Sequence, residues 1–191
     1  MNLTQASFET ERLLLRPCRM EDADALATLL TPEISRWVAA WPTPLLKQDT
    51  QVILRSTIEA MQQGEVFAAV VICKDSGGII GWCKLDIADD GAELGYWIGT
   101  AFHRKGFAME LSQGAIGIAF EQLGVASVRA GAQVGNRASL ALLKKLGMTR
   151  EGVEAVWAPV RQRFEDCVFW RMDRGGYGGP NSAMGKSKCN E

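Results

Sequence analysis

Residues 103–108, HRKGFA, bring the chain's single histidine, two cations and two small residues to a junction. Before it runs an apolar, strand-like stretch, AELGYWIG (92–99), and after it a long run that reads as a helix. The first backbone N–H groups of a helix have no partner and point outward. The aligned peptide dipoles add partial positive charge there. An anion is the natural occupant, and phosphate is the usual one. Gly106 and Ala108 let it approach the backbone closely, while Arg104 and Lys105 add charge-assisted contacts. The chemistry predicted for this turn is the holding of a diphosphate.

The charge distribution agrees. The chain has 191 residues and a net charge of −1. Residues 103–150 carry seven Lys/Arg and two acids, so this segment is +5 and the remainder −6. A local basic face on a mildly acidic protein suits a small polyanion. The bulk charge gives no attraction for a long nucleic acid, and the basic segment lacks interleaved aromatics. One histidine and five cysteines at 18, 73, 83, 167 and 189, with no CxxC, argue against a metal site. The cysteines suit small buried hydrophobes in a reducing cytoplasm. No apolar run approaches the roughly 18 residues of a membrane span. The opening MNLTQASFETER carries acids early and lacks an apolar signal core, which speaks against a secretory leader.

The elements that must position this turn follow from periodicity. RLLLRP (12–17) reads as a first strand, MEDADALATLL (20–30) as a helix, and 31–46, with three prolines, as a loop with short helical pieces. A helix is predicted over 47–64, ended by Gly64. Strands at 65–74, 79–87 and 92–99, joined by Asp/Gly turns, form an antiparallel meander. A helix from about 104 to 122 follows, then a strand at 126–133. The next helix, 136–147, has Asn136 at its start and Gly147 at its end. Two strands, 148–158 and 162–173, finish the fold. The class is α+β, or mixed α/β: a mostly antiparallel twisted sheet of about six to seven strands flanked by helices. Residues 1–174 are expected to be one domain. The glycine-rich tail 175–191 is expected to be disordered. Within it GPNSAMGKS (179–187) resembles a phosphate loop, but five residues separate Gly179 from Gly185 where four are required.

ELGYWIGTAFHRKGFAMEL followed by GNRASLALLKKLGMTREG resembles the GNAT superfamily of acyl-CoA N-acyltransferases. With ETERLLLRPCRMEDADAL at one end and EDCVFWRMDR at the other, the chain is similar to that family's ribosomal-protein N-terminal acetyltransferase branch over about residues 8–174. The resemblance implies acetyl-CoA as cofactor, its pyrophosphate cradled by His103, Arg104, Lys105, Gly106, Phe107 and Ala108. His103 stands where the family has Arg or Gln. The strand at Tyr96, Trp97 and Ile98 would pair with the pantetheine arm as an added strand, an N–H near Ile98 facing the thioester oxygen. Asn136 and Ser139 would meet the reacting end of the cofactor. The acceptor groove would be walled by Trp37, Trp41 and Trp157, with Arg161 and Arg163 available to an acidic acceptor.

Such a reaction is attack of a neutral amine on a thioester. An α-amino group, with a pKa near 7.7–8.0, is roughly a tenth neutral at pH 7, and a lysine amine under about a thousandth. An N-terminal acceptor therefore needs modest help from a base. His103 fits by residue type but stands among the phosphate contacts. The family resemblance points to Glu93, which could also be a plain surface residue on an alternating strand. Many members place an acidic tyrosine seven residues after the asparagine. Here that position is Leu143, and Ser139 is the expected substitute unless it merely bonds its own helix start. The function expected is cytoplasmic acetyl transfer to a protein N-terminal α-amine, by a monomer or homodimer, without membrane or nucleic-acid partners. The alternatives are acetylation of a small amine and a catalytically silent acyl-CoA-binding regulator.

Overall fold

The structure, a computed structural model, describes residues 2–89 and 91–179. Eight strands form a single sheet: β1 (Phe8–Glu9), β2 (Leu13–Pro17), β3 (Val66–Cys73), β4 (Ile79–Ala88), β5 (Gly91–Ile98), β6 (Ser127–Gln133), β7 (Thr149–Ala158) and β8 (Arg163–Asp173). Their order is β1-β2-β3-β4-β5-β6-β8-β7. The strand beyond the expected seven is β1, where Phe8 and Glu9 pair with Leu15 and Leu14. Two residues are too few for periodicity to reveal. β3, VFAAVVIC, is buried at nearly every position. It lies between β2 and β4, and a strand covered on both faces reads as a continuous apolar run.

The helices are α1 (Ala23–Leu29), α2 (Pro32–Ser35), α3 (Lys47–Gln63), α4 (Phe107–Gly117) and α5 (Arg137–Lys145). α3 turns Thr50, Leu54 and Met61 inward. Burial of a side chain such as Leu54 contributes about 1.5–3 kcal/mol. α4 begins later than periodicity suggests. A 3-10 turn at Thr100–Phe102 intervenes, and the chain then passes through left-handed conformations at Arg104 (φ 60°) and Gly106 (φ 83°). Beyond Gly117 the helix widens into a π turn, Ile118–Gln122.

Neighbouring strands pair antiparallel, with β5 and β6 the exception. Their parallel pairing covers Gly91, Ala92 and Glu93 against Ser127, Val128 and Arg129, and then the two strands part. The site is built on this parting.

Of the stretch 175–191, residues 175–179 are described. Arg174–Gly176 form a 3-10 turn. The Arg174 guanidinium donates to the carbonyls of Phe120 and Val125. The Tyr177 ring lies 5.0 Å from that of Phe120, and its hydroxyl donates to Glu121 at 3.0 Å. An aromatic partner and a cation ending in a helix terminus order a segment whose glycines suggest none. The residues from 180 on, which hold most of the phosphate-loop-like stretch, lie outside the described residues. Tyr177→Ala should lower the melting temperature by about 3 °C, since an aromatic pair contributes about 1 kcal/mol beyond burial. Calorimetry reads this directly, and an unchanged midpoint would mark the contact as idle.

Candidate active site

The parting of β5 and β6 opens a cavity of about 780 Å³. Its β5 wall follows from strand register. Gly99 N donates to Ile80 O at 2.8 Å, so residues 99 and 80 form a hydrogen-bonded pair. Bonding alternates along an antiparallel ladder. Hence Trp97 and Gly95 bond to β4, while the main-chain groups of Leu94, Tyr96 and Ile98 turn toward β6. Past Glu93, β6 has moved away. The main chain of Leu94, Tyr96 and Ile98 thus presents an unpaired strand edge to the cavity, which an extended ligand can complete. His103 supports its end: Nε2 lies 2.8 Å from Ile98 O, so that nitrogen carries the proton and donates. The histidine therefore faces the strand end as well as lining the cavity.

At the far end lies the turn before α4. The first α4 amide to find a carbonyl is that of Glu110, on Gly106 O at 3.1 Å. The amides of residues 104–109 make no main-chain bond among the described residues. Left-handed residues at Arg104 and Gly106 turn successive N–H groups to one side, an anion-binding concavity. A Cβ on Gly106 would stand 3.3 Å from Arg12 Nη2. The turn therefore fits a diphosphate, by its free donors and its lack of side-chain bulk. Arg104, Gly106, Phe107 and Ala108 line the cavity; Lys105 does not. Lys105 Nζ lies 5.5 Å from the Phe102 ring centre, and its carbonyl accepts from Arg12 Nη1 at 3.0 Å.

Arg12 and Glu110 are the residues that sequence reasoning missed here. One Glu110 oxygen accepts from Thr10 Oγ1 (2.6 Å) and Arg12 N (2.7 Å), and the other from Arg12 Nε (2.7 Å). Burial pushes the Glu110 pKa up, but these bonds together prevail and hold it below the ordinary carboxylate range. The Arg12 guanidinium also lies over the Phe107 ring at 4.7 Å. β2 and the first turn of α4 are thereby tied across about a hundred residues of chain, a separation at which no local pattern signals a contact.

Glu93 and Tyr96 lie on opposite faces of β5, because side chains alternate. Glu93 shares its face with Gly95 and Trp97. Burial raises its pKa above the usual carboxylate range, Arg129 opposes that, and Asp86 and Glu154 add to it. No hydrogen bond or ion pair engages its carboxylate among the described residues, so both oxygens are open to an acceptor. Arg129 is itself engaged by Glu151 (2.8 Å) and Glu154, and stacks on Phe169. It contributes less to the basic face than its charge suggests. Asn136 caps α5, its Oδ1 accepting from Ser139 N at 3.2 Å. Asn136, Ser139 and Leu143 all line the cavity.

The five residues expected around the acceptor divide, and Arg163, exposed and donating from Nε to Glu165 at 2.9 Å, is not among the cavity's walls. Trp37 and Trp41 line the cavity. Trp41 is also buried core, packed edge-on to Trp82 and Trp97 at 5.2 and 5.4 Å. Trp157 is exposed, pairs with Phe164 at 5.2 Å, and is not among the cavity's walls. Arg161 turns to its own chain: Nε and Nη2 bind both oxygens of Glu165 (2.8 and 2.7 Å), and Nη1 donates to Ser35 O and Val38 O. It clamps the α2 segment to β8 and so fixes Trp37 and Glu33 at the rim. Arg161→Met should destabilise the protein by about 1–2 kcal/mol, since it removes the bonds to Ser35 O and Val38 O and leaves the largely buried Glu165 with only Arg163 and Gln133 as partners. It should also raise the KM for the acceptor with little effect on that for the donor. A denaturant titration and steady-state kinetics read the two effects, and a normal melting midpoint would show that the clamp carries no load.

An open strand edge leading from a carboxylate to a cradle of free amides is the working surface of a group-transfer enzyme that holds its donor by a diphosphate. The chain belongs to the GNAT family of acetyltransferases: the model of the acetyltransferase (GNAT) domain matches residues 12–149. Enzymes of this family use acetyl-CoA. The chain is 28% identical over 174 residues to the uncharacterized N-acetyltransferase p20 of Bacillus licheniformis, a match that covers 89% of this chain and 97% of the relative. Its fold is that of Mycobacterium smegmatis RimJ in complex with CoA-disulfide (TM-score 0.78, 18% identity, 87% of this chain and 84% of that one). It is also that of RimL, a ribosomal L7/L12 alpha-N-protein acetyltransferase, in complex with coenzyme A (TM-score 0.77, 17% identity, 90% and 100%). The protein is an N-acetyltransferase. Among the described residues no helix is long and apolar enough to cross a membrane.

Proposed function

We propose that this enzyme moves the acetyl group of acetyl-CoA to a protein N-terminal α-amine by direct attack on the thioester. The observation that carries the proposal is the continuous path from the free amides of 104–109, along the open edge at Tyr96 and Ile98, to the unpaired carboxylate of Glu93. When bound, acetyl-CoA supplies an activated acetyl group. The chain's own residues do the rest. The turn holds a diphosphate, and the edge of β5 orients an extended amide-bearing arm. The Ile98 N–H is available to a carbonyl oxygen. Glu93, whose pKa is raised above the usual carboxylate range, takes the proton of the amine as general base. Trp37 and Trp41 wall the acceptor side against water.

The fold shared with enzymes that act on ribosomal proteins supports a protein acceptor. So does the modest demand an α-amine places on its base. The acceptor side gathers Glu33, Asp86 and Glu93 from three elements, a convergence that no single stretch of sequence displays. Asp86 is paired with Lys84 at 2.6 Å, but Glu33 and Glu93 would equally receive a small cationic amine, and this is the observation behind the second reading. Four free cysteines among the described residues support a reducing, cytoplasmic setting. The deciding experiment incubates the enzyme and acetyl-CoA with a library of N-terminal peptides and small amines, read by mass spectrometry. Acetylation of peptide α-amines ahead of polyamines or lysine side chains is expected. Exclusive acetylation of small amines would transfer the reading to the second, and binding without any product would mark a silent regulator.

A further inference from the structure

α4 approaches the link between β1 and β2 closely. A Cβ on Gly114 would stand 2.9 Å from Thr10 Cγ2, so glycine there lets the helix settle against the link. One helical turn earlier, Glu110 accepts hydrogen bonds from both Thr10 and Arg12. The Arg12 main chain is pinned on either side: its N–H donates to Glu110 at 2.7 Å, and its carbonyl accepts from Lys74 N at 2.9 Å. Its guanidinium then divides between two partners. Nε goes to Glu110, and Nη1 donates to Lys105 O at 3.0 Å. Arg12 is not among the cavity's walls, whereas Gly106 is. In a trans peptide the C=O and N–H point in opposite directions. With the Lys105 carbonyl turned to Arg12, the Gly106 N–H is turned to the cavity. Gly106, at φ 83° and ψ −4°, does not fix this orientation by itself. Turning over the peptide before such a residue takes its φ from about +80° to about −90°, the difference between the two common β-turns. Glycine accepts either. In the other orientation a carbonyl oxygen would face the anion in place of an N–H.

We propose that Arg12 is a positioning residue for the donor: its Nη1 holds the Lys105–Gly106 peptide with the N–H turned toward the diphosphate. The proposal rests on the transferase reading above. It accounts for the residue type at position 12. One planar fork reaches a carboxylate and a carbonyl at once, whereas a lysine is a single point charge. The guanidinium lies over the Phe107 ring at 4.7 Å, which keeps the fork against the turn. Lys105 serves here through its carbonyl, while its ammonium lies 5.5 Å from the Phe102 ring centre, away from the cavity's walls. The cradle is thus set from behind, by a strand that never meets the ligand.

The test uses Arg12→Met and Arg12→Lys. A competent state held by about a tenth of the molecules weakens apparent affinity about tenfold. Both variants should therefore raise the calorimetric Kd for coenzyme A about tenfold, while kcat at saturating acetyl-CoA stays within about twofold. A second donor, S-acetylpantetheine, carries the thioester without the diphosphate. Its kcat/KM with a peptide acceptor should stay within about twofold in both variants. Lysine keeps the charge beside Glu110, so Arg12→Lys supplies the measurement if Arg12→Met fails to fold. An unchanged Kd in the variants overturns the role. Wild-type affinity in Arg12→Lys does so too, because it would reduce the arginine to its charge. An equal loss with both donors would make Arg12 a support of the fold alone and overturn the role as well. A wild type that binds no coenzyme A would refute the transferase reading itself. One that binds it and is matched by its variants leaves that reading standing and removes only this role.

Discussion

Gly106→Glu should abolish acetyl-CoA binding. At a ligand concentration of about 100 Kd, binding stabilises the wild type by about 2.7 kcal/mol. For a chain of this length that is a rise in melting temperature of roughly 6–10 °C. The variant should show no rise. Two effects combine. Gly106 sits at φ 83°, where a side chain costs about 1–2 kcal/mol. The new carboxylate would also occupy the concavity formed by the amides of 104–109, answering their positive potential from within and repelling a diphosphate. Gly106→Ala separates the two. Its Cβ meets only Arg12 Nη2, at 3.3 Å, a contact that a shift of a few tenths of an ångström relieves, so it should retain weakened binding. Normal stabilisation of Gly106→Glu by acetyl-CoA would sink the anion-cradle reading of this turn.

The second large effect is expected at Glu93→Gln, whose turnover should fall by about a hundredfold or more with donor binding unchanged. The pH profile carries the sharper information. In the wild type the rate should fall as pH drops through the raised pKa of Glu93, because the base is then protonated. In the variant that acidic limb should vanish. Stability should move the other way. A carboxyl whose folded pKa is raised destabilises the fold once it ionises, so its contribution is fully favourable below the unfolded pKa and is lost as pH rises through the folded one. Replacing it by a neutral amide should therefore hold or raise the melting temperature at neutral pH. Retention of the acidic limb in Glu93→Gln would assign the base elsewhere.

How much of this was legible in the sequence depends on distance along the chain. The meander β3–β4–β5 and the caps of α3 and α5 were readable, because Asp/Gly turns, Gly64 and Asn136 act within a few residues. The turn at 103–108 was readable for the same reason: unpaired amides and a glycine at a strand–helix junction are a local property. The tie between Arg12 and Glu110 was not, nor the Arg161–Glu165 clamp onto Ser35 and Val38. Each joins elements that only the folded sheet brings together. The Tyr177–Phe120 contact was not legible either, because glycines flank the one ring.

The three residue pairs that join β5 to β6 have a mechanical meaning. Among the described residues they are the only strand pairing between a five-stranded and a three-stranded half of the sheet, and the cavity lies along that seam. A bound extended molecule would lace the edges together where the chain itself does not. Cohesion between the halves would then rise and fall with each catalytic cycle, firmest while the donor is in place and loosest at the moment product must depart.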